Sequence, residues 1–434
     1  MKKIAILLVT ISLLAVPLVA QAQTTNTAFQ VLNLNSTEEA AVSIAFYNTS
    51  GTVVYTLNDT ISAGSSKTYI QANMGTELGG SFNGSVVISS NQQVAAVVNQ
   101  STSNVDATVG YNASYTGFSE GNTDFYLPII LNAYYGFHTE VSIQNAGSSD
   151  VDVTVTYDTP GCTDTASSLK PGAAVRFDNT STCSGGLNSN GSATISATGG
   201  PVVAIVNQIG ESLNMEQAYN GFAPTDGAST LYAPVVLYAY YTFYSAFQVQ
   251  NISGSTMDIC ATYSDGYYTC KTSIADGESA TFIQNTETHS STWTGSAVVT
   301  NTIGGDMVAI VNQQGGVSAA SYNAYAGGSP QWALPSLLYQ YYGFSSAYQC
   351  QNVSSGAVDI AVTYDDGASA SASSVAAGDT ATFIQAFESG HTANQAFSAI
   401  VTATGGDIVC VVNQDKITAG AIDYMYSYNA VDMQ

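Results

Sequence analysis

The sequence predicts an all-β protein, four tandem antiparallel β-sandwich repeats of about 100 residues behind an amino-terminal signal peptide. Three observations predict it. The string VNQ recurs with its Asn at 99, 207, 312 and 413, in steps of 108, 105 and 101 residues. Between recurrences, apolar and polar residues alternate with the two-residue period of a half-buried strand. Turn signals rich in Gly, Asp and Pro punctuate that alternation at hairpin spacing, and no segment carries helical periodicity.

The signal peptide is the first element. Residues 1–22 place Lys2 and Lys3 before a short apolar run and end with Ala20 and Ala22 in an A-x-A arrangement, the pattern of a leader cleaved after Ala22. The run is short for a membrane span and is broken by Pro17. No Cys follows it to carry a lipid, and no later stretch is apolar enough to cross a bilayer once the leader is gone. The expected location is secreted or extracellular at the cell surface. Charged residues are 9% of the chain, against roughly 25% in an average globular protein. Without Lys2 and Lys3, five basic residues face 31 acidic ones. A chain so acidic has no basic patch with which to displace counterions, which excludes nucleic acid and anionic membrane surfaces as partners.

The repeats follow as residues 23–117, 118–225, 226–327 and 328–434. A Tyr-Asn pair follows each VNQ, at Tyr111-Asn112, Tyr219-Asn220, Tyr322-Asn323 and Tyr428-Asn429. Upstream, Asn35, Asn145, Asn251 and Asn352 each precede by twelve residues a tyrosine, Tyr47, Tyr157, Tyr263 or Tyr364. DVTVTY, DICATY and DIAVTY alternate as strands and are followed by turn chemistry such as SDG and DDG. With the segments ending TYIQ, VRFD and TFIQ, the GSVVIS-like segments, the VNQ run and the closing YN segment, each repeat has seven or eight short strands. The apolar VNQ run reads as a central strand covered on both faces, with its Asn and Gln as turn residues bonded to nearby backbone. The four tyrosines before turns read as packing residues with wet hydroxyls.

Six cysteines fall two to a repeat in the last three. An exported chain with that distribution suggests disulfides within repeats: Cys162 with Cys183, Cys260 with Cys270 across a hairpin centred on Asp265, and Cys350 with Cys410. C-x-x-C spacing is absent, so no metal is expected at them, and the D-x-D-x-D-G calcium loop is missing too. His138, His289 and His391 lie in different repeats, outside any H-E-x-x-H or G-x-S-x-G motif, and read as surface residues. Neither catalysis nor a cofactor is expected. Asn83 and Asn251 begin N-x-S sequons.

The recurring LP-x-x-L, QN-x-S, VTY, TFIQ, GSAVV and VAIVNQ segments resemble tandem immunoglobulin-like β-sandwich repeats of bacterial secreted and cell-surface proteins. That resemblance implies a stalk, adhesin, surface-layer or filament component. The aromatic blocks LNAYYGF, LYAYYTF and LYQYYGF, following Pro128, Pro234 and Pro335, lie between repeats. One reading makes Tyr134, Tyr135 and Phe137, Tyr240, Tyr241 and Phe243, and Tyr341, Tyr342 and Phe344 wedges that fix the angle of a semi-rigid rod. The other makes them platforms that stack on sugar rings. The corresponding functions are a non-enzymatic structural or adhesive surface protein and a secreted carbohydrate-binding protein. The expected partners are other copies of the chain, cell-surface components or polysaccharide. Four VNQ repeats share three proline-led segments, so one terminal repeat is expected to have an uncovered edge suited to strand addition, unless TTNTAFQ folds back to cover it.

Overall fold

The computed structural model describes residues 23–79, 81–104, 110–158, 162–178, 189–289, 292–416 and 423–433. Residues 1–22, the expected signal peptide, and Cys183 lie outside them, and with Cys183 the expected 162–183 bridge. The chain is 65% strand and 3% helix, the helix being short 3-10 turns such as Gln71–Met74. Every strand pairing is antiparallel, within sheets arranged as repeated sandwich-like units.

The second unit shows the plan. One sheet runs Thr163–Leu169, Val151–Tyr157, Ser189–Thr198, Asp124–Asn132, and the facing sheet runs Ala174–Asp178, His138–Asn145, Val202–Gly210, Met215–Asn220. Val151, Val153, Val155 and Tyr157 point inward and are buried, as the alternation of that segment dictates. Units 3 and 4 repeat the order, and in unit 4 Val431–Asp432 adds to the outer side of Gln331–Tyr339. Unit 1 keeps the four-stranded sheet Ser66–Ile70, Gln23–Asn33, Val94–Asn104, Gly110–Thr116, but its facing sheet has only Val53–Ile61, Ala40–Asn48 and Gly84–Ser90.

The proline-led segments are therefore the first strands of the units they open: Asp124–Asn132, Thr230–Tyr238 and Gln331–Tyr339. Proline cannot donate to a ladder, and at Pro234 and Pro335 the register with the neighbouring strand skips, from Ala233 to Val236 and from Leu334 to Leu337. The bulge frees backbone groups, and a tyrosine of the closing strand takes them. Tyr219 donates its hydroxyl to Ile129 O at 2.8 Å, Tyr322 to Val235 O at 2.6 Å, and Tyr428 to Ser336 O.

A buried asparagine ties the two sheets of each unit. Asn145, Asn251 and Asn352 donate through Nδ2 to Leu169 O, Ile274 O and Val375 O, while Oδ1 accepts the amide two residues on. In unit 1 this place is held by Asn33, whose Nδ2 donates to Ile61 O and whose Oδ1 accepts the amide of Asn35. The match of Asn35 to the other three is corrected by two residues, because Asn35 caps the following turn instead. Asn251 is fully buried with its amide in use, so its sequon offers no accessible acceptor, whereas Asn83 is exposed. Cys260 lies opposite Cys270 and Cys350 opposite Cys410 in directly paired strands, and both pairs form disulfides.

The four units close into a ring, which replaces the expected rod. Their closing strands, Gly110–Thr116, Met215–Asn220, Ser318–Asn323 and Met425–Asn429, pack on one another around a common axis. Asn220 Nδ2 donates to Thr116 O at 2.7 Å, Asn323 Nδ2 to Asn220 O at 2.8 Å, Asn429 Nδ2 to Asn323 O at 2.6 Å, and Thr116 Oγ1 returns to Asn429 O at 3.2 Å. Thr116 thus completes the circuit, and Tyr115, not Tyr111, is the unit 1 counterpart of Tyr219. Residues 114–116, 218–220, 321–323 and 427–429 line the axis.

The VNQ side chains latch neighbouring units and are not turn residues. Gln208 and Asn312 exchange two amide bonds of 3.1 and 2.8 Å, and Gln313 and Asn413 do the same at 3.1 and 2.8 Å. Asn99 donates to Gln414 Oε1 at 3.2 Å, which carries the pattern from unit 4 back to unit 1. At the same seam Gln30 Nε2 donates to Phe397 O, as Gln248 Nε2 donates to Gly191 O between units 2 and 3. Val308 and Ile310 of unit 3 join the core of unit 2, so the strand is buried on both faces as expected, with the second cover coming from a neighbour.

A ring makes a definite scattering prediction. A compact chain of this length has a radius of gyration of about 22 Å, and small-angle scattering of residues 23–434 should give that value. Four sandwiches strung as a rod would give roughly twice as much.

Candidate functional site

The aromatic blocks form three tight turns between the two sheets of units 2, 3 and 4. Tyr134 and Phe137 exchange backbone bonds of 3.1 and 3.0 Å, and Tyr240 with Phe243 repeats them at 3.1 and 2.9 Å. Tyr341 pairs with Phe344 in the same way. The two central residues of each turn have positive φ: Tyr135 and Gly136 at 49° and 85°, Tyr241 and Thr242 at 47° and 72°, Tyr342 and Gly343 at 50° and 85°. Two-residue hairpin turns of this hand match strand twist, and they ordinarily use Asn-Gly because a side chain at positive φ is strained.

Each block splits into an anchor and an exposed ring. Phe137 is buried beside Gly210, and Phe344 packs on Tyr424 and Tyr426. Phe243 is part-buried, lying against Gly315. The central tyrosines point out, with Tyr135 76%, Tyr241 80% and Tyr342 75% exposed. Each is held by the tyrosine before it in an edge-to-face pair, with centroids 4.7, 4.8 and 4.7 Å apart. The wedge reading is corrected for these three rings: the strand leading into the turn makes the contact between units. Gln248 Nε2 of unit 3, for instance, donates to Pro128 O at 2.7 Å. The three tyrosines hold equivalent turn positions in units 2, 3 and 4.

The histidines expected at the surface divide differently. His138 is part-buried, but His289 and His391 have no side-chain exposure. His289 bonds Asp265 at 2.7 Å and Gln284 at 2.7 Å and stacks on Trp293. His391 bonds Asp366 at 2.8 Å and Glu388 at 3.2 Å and stacks on Phe397. Both rings tie a hairpin tip to the loop that crosses it. The pre-turn tyrosines join these clusters: Tyr263 bonds Glu287 at 3.0 Å, Tyr364 bonds Glu388 at 2.6 Å, and in unit 2 Tyr157 bonds Asp164 at 2.8 Å. Their hydroxyls are sealed and paired, not wet. Among the described residues, no group of three His, Cys, Asp or Glu is placed to hold a metal ion.

Sequence reasoning missed a pair of buried acids where all four units meet at one mouth of the axis. Asp423 is fully buried and accepts the amides of Met425 at 3.0 Å, Glu216 at 3.4 Å and Ala319 at 3.4 Å, while its own amide donates to Gly110 O. Burial pushes its carboxyl well above the usual range. Glu216 is pushed up to about 8, by burial first and then by Glu140, and its Oε2 has no partner. The only sequence signal was an acid within an apolar closing strand.

Comparison with known protein families, curated proteins and solved structures finds no match to this chain.

Two predictions follow from this geometry. Glu216 keeps its proton in the folded ring and loses it in the unfolded chain near pH 4.5, so its stabilising contribution is full below that pH and is lost as pH rises through about 8. The melting temperature should fall over that window, and Glu216→Gln should flatten the fall and melt higher than the parent above pH 8. Tyr342→Gly removes the strain at φ 50°. Chemical denaturation should show stability kept or raised, by up to about 1 kcal/mol.

Proposed function

We propose that this chain is a non-enzymatic extracellular adhesive protein, a closed ring that offers three tyrosine turns to a repetitive polysaccharide on a surface. The observation that carries the reading is the exposure of Tyr135, Tyr241 and Tyr342 at equivalent stations, each in a strained backbone conformation that packing does not require. A residue kept in the left-handed region with its ring in solvent gives up stability for no internal contact beyond its neighbouring tyrosine. Planar rings with polar tips suit the faces of sugars. Three stations on one rigid body turn weak single contacts into avidity for a ligand with many identical units.

Two features support an extracellular setting: the leader-like residues 1–22 and the paired cysteines, which fit an oxidising compartment. The acidic surface favours a neutral ligand over an anionic one. The test is a glycan-array and whole-cell binding comparison of the parent with the triple variant Tyr135→Ala, Tyr241→Ala, Tyr342→Ala. Binding should fall at least about tenfold, with the melting temperature unchanged and each single variant losing only part of it. Equal binding by parent and triple variant would reject the tyrosine turns as the contact.

A further inference from the structure

The two cross-strand bridges of units 3 and 4 sit in opposite settings. Cys350 and Cys410 are fully buried members of the core, on Ser345–Asn352 and Ile408–Asp415, each of which pairs with a further strand on its other side. Opening that bridge means opening the sheet. Cys270 lies on Tyr268–Ile274, the last strand of its sheet, and is only part-buried, beside Tyr268, which is 59% exposed. Along Met257–Tyr263 the residues Ile259, Ala261 and Tyr263 enter the core, so Cys260 between them faces outward. This bridge spans the outer face of an edge hairpin.

The hairpin does not need its bridge. Units 2 and 4 build the same hairpin with the same skip in register, at Val151/Val153 and Val358/Val360's equivalent Ile360, as unit 3 has at Met257/Ile259. Counted from that skip, the facing pair Cys260 and Cys270 corresponds to Thr154 and Thr165 in unit 2 and to Ala361 and Ser371 in unit 4. Those hairpins hold their register without a covalent link at this place. In unit 3 the tip is also tied by His289 to Asp265 and by Tyr263 to Glu287. The two sulfurs can therefore part while the strands stay paired.

A proton donor stands ready at the outer sulfur. The Tyr268 hydroxyl lies 2.9 Å from Cys270 Sγ, and because a disulfide sulfur has no proton to give, the tyrosine is the donor. We propose that Cys260–Cys270 is a thiol-exchange site, where a low-molecular-weight thiol opens the bridge and is carried as a mixed disulfide on Cys270. The thiolate attacks Cys270 Sγ, on the more exposed of the two residues. As that S–S bond forms, the bond to Cys260 breaks, and its electron pair leaves on Cys260 Sγ, which takes a proton from water. A second thiolate then attacks the outer sulfur of the mixed disulfide and leaves joined to the first thiol. The electron pair of the broken bond goes to Cys270 Sγ, where the Tyr268 hydroxyl donates to the new thiolate. Two thiols are oxidised to one disulfide, and the bridge is reduced by two electrons. With Cys260 8% exposed, the site admits a slender thiol and excludes a cysteine on the surface of a folded protein.

The test incubates the folded chain with reduced glutathione, quenches samples with acid at intervals, caps free thiols with N-ethylmaleimide and maps the products by peptide mass spectrometry. Cys260–Cys270 should open at least about tenfold faster than Cys350–Cys410, with glutathione on Cys270 and the cap on Cys260 in the intermediate. Tyr268→Phe should leave that first step unchanged and slow the release of glutathione from Cys270 roughly five- to tenfold, the loss of one hydrogen bond to the leaving sulfur. The double variant Cys260→Thr with Cys270→Thr copies unit 2 and should keep the scattering profile of the parent. Equal opening rates for the two bridges, glutathione on Cys260, an unchanged release rate in Tyr268→Phe, or loss of the ring in the double variant would each overturn the proposal.

Discussion

The structure depends on a strand that is apolar on both faces. Met307–Gly315 and Ile408–Asp415 begin with five consecutive buried residues, and a single sandwich covers only one face of a strand. The other face must find cover in a neighbour, and in a linear array the last such face would remain in water. Closing the array into a ring gives each such face a neighbour, with full burial in units 3 and 4 and partial burial at Ala96 and Val98 of unit 1 and Val203 and Ile205 of unit 2. The reciprocal Gln–Asn bonds at the strand ends then fix rotation, because an amide pair that exchanges two hydrogen bonds has one geometry. The asparagine circuit at the axis and the buried glutamine contacts between units repeat the same logic.

Much of the architecture was legible because it is local. The alternation in Val151–Tyr157 names its inward residues, and Cys260 and Cys270 face each other because a hairpin between them leaves no other choice. The partners of Gln208 and Gln313 were not legible. They lie 104 and 100 residues away on other units, and an Asn-Gln pair at a strand end looks the same whether it bonds its own turn or a neighbour. Unit 1 misled the repeat reading twice. Tyr111-Asn112 imitates the closing pair while Tyr115 and Thr116 hold its position, and Asn35 imitates an anchor that is Asn33, because spacing by identity ignores short insertions.

The candidate site was legible in composition and obscure in role. The doubled tyrosines stood out, but assigning one ring to support and the next to solvent required the backbone hand of the turn, which Tyr-Gly and Tyr-Thr do not announce. The buried histidines were misread for a related reason. Their stacking partners Trp293 and Phe397 lie on strands after the loop, and burial of an imidazole depends on that crossing.

The seam between units 4 and 1 joins residues that are farthest apart in sequence: Asn112 bonds Asp423 O and Ser114 bonds Ser427 O across 311 and 313 positions. Such contacts form only after nearly the whole chain is available, so the first unit must wait for the last, with its seam face bare throughout synthesis. Closure is thus a late, unimolecular step in competition with encounters between chains. A first unit that meets the fourth unit of another molecule makes the same bonds, so chain concentration during folding sets the balance between single rings and larger exchanged ones.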